Sequence, residues 1–187
     1  LTVTYELDVE ALKEFDDIIC YSFTNADLLL TALTHSSYVN ENRSKDSSLE
    51  DNERLEFFGD AIIEFYISEY LFHKYDRFPE GDMTKIRASM VCEQSLAECA
   101  KQIHLGKFLR MGKGEELSGG RERASITSDA FEALVAAIHI DTGSEKPVRD
   151  FIYDHLIKGL ENKTLFFDAK TRLQEIAQQD GHNTLRY

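Results

Sequence analysis

Asn52-Glu53-Arg54-Leu55-Glu56-Phe57-Phe58-Gly59-Asp60-Ala61 is the stretch on which the reading of this chain turns. From here to about Tyr75, apolar side chains recur every three or four positions at Leu55, Phe58, Ile62, Phe65, Tyr66, Tyr70 and Leu71. That spacing predicts one long helix starting at Asp51 or Asn52, expected to be the central and most buried helix of the fold. On a helix, residues three or four apart share a face, so Glu53, Glu56, Asp60 and Glu64 form an acidic stripe. Like charges at that spacing repel, and no Lys or Arg lies three or four positions from Glu56 or Asp60 to offset them.

A second acidic pair sits in Ser128-Asp129-Ala130-Phe131-Glu132-Ala133-Leu134, inside a helix predicted over about Ser125 to Asp141. Asp129 and Glu132 share a face, again without a local cation. Large apolar residues flank both pairs: Phe57, Phe58, Ile62 and Ile63 around the first, Phe131, Leu134, Val135 and Ile138 around the second. Two readings stay open on spacing alone. Either these are exposed acidic helix faces, or the helices pack together and four carboxylates converge on a cation. An oxygen-only donor set without His or Cys would favour Mg²⁺, with Mn²⁺ as a substitute, over zinc.

The rest of the chain reads as all-α, with only Pro79 and Pro147 as breakers and no persistent strand-like alternation. Helices are expected from about Val9 to Ile18 and from a cap at Asn25. Asn40 to Ser48 is almost wholly polar. After the turn Phe78-Pro79-Glu80-Gly81, Asp82 is expected to cap one continuous helix carrying Met83, Ile86, Met90, Leu96 and Ile103. Gly112 to Gly120 is glycine-rich but lacks P-loop spacing, so it reads as a helix connection. Pro147 suits the first turn of a following helix, and Asp168 to Gln179 a last, polar one.

A chain of 187 residues suits one sizeable domain, or a domain plus a fragment. Its net charge of -13 argues against a generally basic nucleic-acid face, although carboxylates gathered to hold divalent cations also make a protein acidic. Cys20, Cys92 and Cys99 are odd in number and lack CxxC spacing, so they read as buried small hydrophobes rather than a disulfide framework or zinc site. No apolar run approaches the roughly 20 residues of a membrane span. The start of the chain does not resemble a secretory signal, and a cytoplasmic protein is the simplest inference.

The ten residues from Asn52 to Ala61 closely resemble the signature of the ribonuclease III family, usually NERLEFLGDA, with Phe58 in place of Leu. Further segments resemble the same family in the same order: Thr34-His35-Ser36-Ser37-Tyr38, Glu80-Gly81-Asp82-Met83, Gly119-Gly120-Arg121-Glu122-Arg123 and Ser128 to Leu134. The resemblance implies a helical bundle forming a homodimer. It implies Glu56, Asp60, Asp129 and Glu132 as catalytic metal ligands, with Glu53 and Glu80 at substrate contacts or the dimer interface. It also implies that Phe57 inserts into a socket of the partner subunit, against the alternative of an ordinary core phenylalanine. The implied reaction is Mg²⁺-assisted attack of water on double-stranded RNA, leaving 5′-phosphate and 3′-hydroxyl ends, in ribosomal RNA precursors and other structured transcripts. No small-molecule cofactor is implied.

By the same resemblance, residues 1 to 160 are a nuclease domain, 161 to 167 a linker, and 168 to 187 the start of a double-stranded RNA-binding domain. Without the rest of that module, RNA binding is expected to be weak and steeply salt-dependent. Arg54, Lys85, Arg87, Lys107, Lys113, Arg121 and Arg123 are candidate phosphate contacts, each read first as an ordinary surface cation. Two rival classes are a non-catalytic RNA-binding relative, which would have lost the carboxylates, and an all-α hydrolase of small phosphates, which would lack the ordered segments.

Overall fold

The computed structural model describes residues 9–44 and 46–159. The helix predicted over Asp168 to Gln179 lies outside them. Among the described residues ten α-helices follow one another: α1 (Val9–Ile19), α2 (Ala26–Ala32), α3 (Ser36–Asn42), α4 (Glu53–Lys74), α5 (Glu80–Met90), α6 (Glu93–Gln102), α7 (Leu105–Phe108), α8 (Lys113–Leu117), α9 (Ala124–Thr142) and α10 (Glu145–Ile152). A 3₁₀ turn at Gly120–Glu122 precedes α9, and a π-helical turn at Tyr153–Ile157 follows α10. No strand occurs among the described residues.

Helix α9, not α4, is the centre of the fold. It buries eleven residues, from Ile126 to Ile138, because small alanines on several sides let α2, α4, α6 and α10 approach at once. Ala133 and Ala137 meet Ala32 of α2, while Phe131 lies 5.6 Å from the ring of Phe151 on α10. Leu96, Cys99, Ala100 and Ile103 of α6 join the same core. Each fully buried Leu, Ile or Phe contributes about 1.5–3 kcal/mol. A left-handed Gly143, φ +57°, ends α9.

Helix α4 turns only part of its surface inward, through Ile62, Ile63, Tyr66, Ile67 and Leu71. Where it meets α9 there is no room for a side chain. A Cβ on Gly59 would stand 1.9 Å from the carbonyl oxygen of Glu132, so glycine is required for the backbones to touch here. This crossing sets Glu56 and Asp60 against Asp129 and Glu132.

Further expectations need correction. Helix α3, Ser36–Asn42, was not expected; it runs into the polar stretch and is capped by His35, whose ring accepts from the Ser37 N–H at 3.3 Å. The single helix expected after Pro79 is two, α5 and α6. The chain turns at Val91–Cys92, where the Ser95 hydroxyl donates to the Ser89 carbonyl at 2.9 Å, and α5 already begins at Glu80, so Asp82 is not its cap. Of the cysteines only Cys99 is buried; Cys20 and Cys92 are exposed, and all three are free thiols.

Gly59→Ala is expected to destabilise the domain by about 1–3 kcal/mol or more, because backbone rather than a mobile side chain must give way. Gly114→Ala, where nothing lies within 4 Å of the added carbon, should be neutral or mildly stabilising. Urea unfolding of the two variants checks the contrast.

Candidate active site

The N-terminus of α4 is fastened from below. Asn52 is almost fully buried, its backbone N–H donating to the Thr34 carbonyl at 2.9 Å and its amide to the Ala32 carbonyl at 3.4 Å. The same Thr34 region is stitched to Arg110: the Arg110 N–H donates to the Leu33 carbonyl at 2.7 Å, and the His35 N–H to the Arg110 carbonyl at 2.9 Å. The first turn of α4 is thus held in place before its acidic residues are reached.

Across the Gly59 contact the four carboxylates act on one another. Glu132 is pushed up to about 8, first by burial and then by the charges of Asp60, Glu56 and Asp129. Glu56 is raised by burial, then by Asp129, Glu53 and Asp60. Asp129 is raised by burial, held back by a hydrogen bond from Ser128, raised again by Glu93 and lowered by His35. None of the four forms an ion pair with a Lys or Arg among the described residues. Nor do three His, Cys, Asp or Glu side chains among the described residues stand together as ligands of one ion. Mutually repelling carboxylates without a cation are expected to stand apart in this way. The donor set is all oxygen and uncompensated, with Glu56, Asp129 and Glu132 half-buried and Asp60 exposed, and it fits a hard divalent cation better than zinc.

The remaining predicted positions divide. Glu53 is exposed and lies within the field of Glu56. Glu80 is elsewhere, at the start of α5, where it accepts from the Thr84 hydroxyl at 2.9 Å and lines an open cleft of about 510 Å³ with Phe65, Phe72 and Met83. Phe57 is no core residue: it is 81% exposed, and Phe65 and Phe72 are 61% and 67% exposed. The sequence reads Phe65 as part of the apolar face of a buried helix and does not single out Phe72, although their spacing from Phe57 on one helix face is readable. Phe58, the departure from the family signature, packs edge-on against His139 of α9 at 5.6 Å.

Most of the candidate phosphate cations are engaged within the fold. Arg121 donates to the carbonyls of Gly106, Lys107 and Leu109 and to Glu116, closing the end of α7. Arg123 pairs with Glu115, Lys107 with Glu14, and Lys85 loosely with Asp82. Arg87 donates to the Ser68 hydroxyl at 2.9 Å. Arg54 and Lys113 stay exposed, without an ion pair among the described residues.

The class defined by the fold is an all-α domain with paired acidic residues on two crossing helices. The family described as Ribonuclease-III-like matches residues 25–160. Ribonuclease 3 of Clostridium beijerinckii is 49% identical over 179 residues, covering 94% of this chain and 75% of that protein. Ribonuclease 3 of Bacillus cereus is 44% identical over 181 residues, covering 95% and 72%. The crystal structure of the nuclease domain of ribonuclease III from Campylobacter jejuni superposes with a TM-score of 0.70 at 39% identity, covering 79% of this chain and 94% of that one. The chain belongs to the ribonuclease III family and is an endonuclease of that type. A second structure of the Campylobacter jejuni domain is described as flexible in the region involved in dimer formation.

The raised Glu132 has a consequence for stability. Below its unfolded value of 4.5 the carboxyl is protonated in both states and costs nothing. Between there and about 8 the folded state keeps a proton that the unfolded state releases, so metal-free stability falls as pH rises. Glu132→Gln should therefore raise the Tm of the metal-free protein at pH 8 relative to wild type. The gain should be about 2–4 °C for each kcal/mol of relief, and it should vanish near pH 4. Calorimetry in chelator at both pH values checks the sign.

Proposed function

We propose that this family member hydrolyses phosphodiester bonds in double-stranded RNA at the α4–α9 crossing, with Glu56, Asp60, Asp129 and Glu132 as the catalytic and metal-binding residues. The observation that carries the proposal is the backbone contact of Gly59 with Glu132, which sets the acidic residues of the two helices beside one another; Glu132 is raised first by burial and then by the charges of Asp60, Glu56 and Asp129. Those four oxygen donors would hold Mg²⁺, or Mn²⁺ in its place. When bound, the ion supplies charge neutralisation and activation of water near neutral pH, leaving 5′-phosphate and 3′-hydroxyl ends. The protein's own part is to hold these carboxylates rigidly: Gly59 keeps the helices in contact, and Asn52 fixes the first turn of α4. Ribosomal RNA precursors and other structured transcripts are the substrates this reading takes, in the cytoplasm. A-form duplex is recognised through its shape, phosphates and 2′-hydroxyls, so exposed cations such as Arg54 and Lys113 suffice as first contacts.

Homodimerisation belongs to the same proposal. Phe57 projects from α4 as a knob, and Phe65 and Phe72 continue the exposed face to the cleft against α5 that Glu80 and Met83 line. Exposed aromatics in a row on one helix mark an interaction surface, and two copies sharing it would bring two cutting sites to one duplex. No described helix is long and apolar enough to cross a membrane. Residues 1–160 are proposed as the nuclease domain, 161–167 as a linker and 168–187 as the opening of a double-stranded RNA-binding domain.

A long RNA duplex should be cut with Mg²⁺, and the same RNA in single-stranded form should not. Glu132→Gln and Asp60→Asn should keep duplex binding and lose at least about 100-fold in cleavage, the scale on which removing one stabilising contact acts. Full cleavage by both variants would contradict the site assignment.

A further inference from the structure

Thr34-His35-Ser36-Ser37-Tyr38, one of the segments shared with the family pattern, contains no carboxylate and supplies none of the four proposed ligands. The structure uses it as a seat. The ring of His35 accepts from the Ser37 N–H at the start of α3, the Ser37 hydroxyl accepts from the Gly112 N–H at 2.9 Å, and the Arg110 guanidinium lies 4.3 Å from the centre of the Tyr38 ring. Thr34 is the member bonded to the foot of α4. It is almost fully buried, and both uses of its hydroxyl are filled: Oγ1 donates to the Leu30 carbonyl at 2.5 Å and accepts from Arg110 Nη1 at 3.3 Å. Its carbonyl accepts from the Asn52 N–H at 2.9 Å, and the Asn52 carbonyl accepts from the Glu56 N–H at 2.8 Å. An asparagine at this position ordinarily caps its own helix. Asn52 does not; its amide donates instead to the Ala32 carbonyl at 3.4 Å.

Two buried polar side chains therefore tie the first turn of α4 to the last turn of α2, at the Leu30 and Ala32 carbonyls, acceptors that a helix end leaves open. Helix α2 is in turn seated on α9, where Ala32 packs with Ala133, the residue next to Glu132. Helix α4 is thus held to α9 at two places, directly at Gly59 and through α2 at its foot. A single contact leaves a helix able to pivot about it; a second removes that freedom. We infer that Thr34 is a positioning residue for Glu56: its buried hydroxyl and carbonyl lock the foot of α4 to α2, and so set the angle at which α4 presents Glu56 to α9. The inference rests on the carboxylate site proposed above. Misplacing a catalytic group by about 1 Å can cost on the order of 100-fold in rate.

Thr34→Val keeps the shape of the side chain and deletes the hydroxyl, whereas Thr34→Ser keeps the hydroxyl. The comparison variant is Val148→Ala, a truncation of a buried residue in α10, which takes no part in this network. In chelator, Thr34→Val and Val148→Ala should both lower Tm. Only Thr34→Val should also shrink the Mg²⁺-induced rise in Tm, raise the Mg²⁺ needed for half-maximal cleavage about 10-fold, and lower kcat about 10- to 100-fold at unchanged KM for duplex RNA. Thr34→Ser should restore each of these. A Thr34→Val protein whose Mg²⁺ response and kcat match those of Val148→Ala would overturn the inference, leaving Thr34 a stabilising contact only. Glu56→Gln, measured alongside, distinguishes the two failures. If it retains full activity, the carboxylate site itself is misassigned; if it is inactive while Thr34→Val behaves as Val148→Ala does, only the role given to Thr34 fails. Amide hydrogen exchange on the wild-type protein needs no variant: slow exchange of the Asn52 and Glu56 N–H groups together supports the inference, and an Asn52 N–H exchanging as fast as an unbonded amide overturns it.

Discussion

The contact between Gly59 of α4 and the backbone of Glu132 of α9 is the constraint on which the rest of the site depends. With only a hydrogen on Gly59, two helix backbones reach each other without an intervening side chain. Apolar packing on either side, Ile62, Ile63 and Ile67 from one helix and Phe131, Leu134 and Val135 from the other, supplies the energy that holds them there. The acidic residues adjoining the contact are then brought together whether or not their charges favour it.

Electrostatics and packing therefore oppose each other at this crossing. Glu132 is raised by both burial and three neighbouring carboxylates, and no Lys or Arg among the described residues relieves it. Other charged groups are met within the fold: Arg121 closes α7, and Asp141 receives the Tyr21 hydroxyl at 2.7 Å and the N–H groups of Thr24 and Asn25 at the start of α2. Uncompensated charge is concentrated where a cation would be used. A site that sacrifices stability in this way is the pattern expected of function rather than of folding.

Much of the architecture was legible in the sequence because it is written in short-range periodicity. α1, α2, α4 and α9 fall close to where spacing and caps predicted them, Asn25 capping α2 by accepting from the Asp27 N–H at 3.0 Å. What spacing did not convey was depth. α4 looked like the central helix because its aromatics are large and periodic, yet Phe57, Phe65 and Phe72 face outward, and the small residues of α9 mark the true centre. Nor was the break at Val91–Cys92 visible, since it depends on a tertiary turn secured by Ser95 rather than on Pro or Gly. The acidic pairs themselves were readable, but the helix crossing that sets them near one another was not, because that depends on a single glycine whose neighbour lies more than seventy residues away. The family resemblance, rather than spacing, is what implied a shared site for these four residues.

The central claim is that α4 and α9 cross in order to gather one divalent-cation site from Glu56, Asp60, Asp129 and Glu132. Anomalous diffraction from crystals grown with Mn²⁺ tests it most directly. A manganese peak ligated by carboxylate oxygens from both helices is the predicted result. Occupied manganese elsewhere on the protein, with nothing bound between α4 and α9, would contradict it.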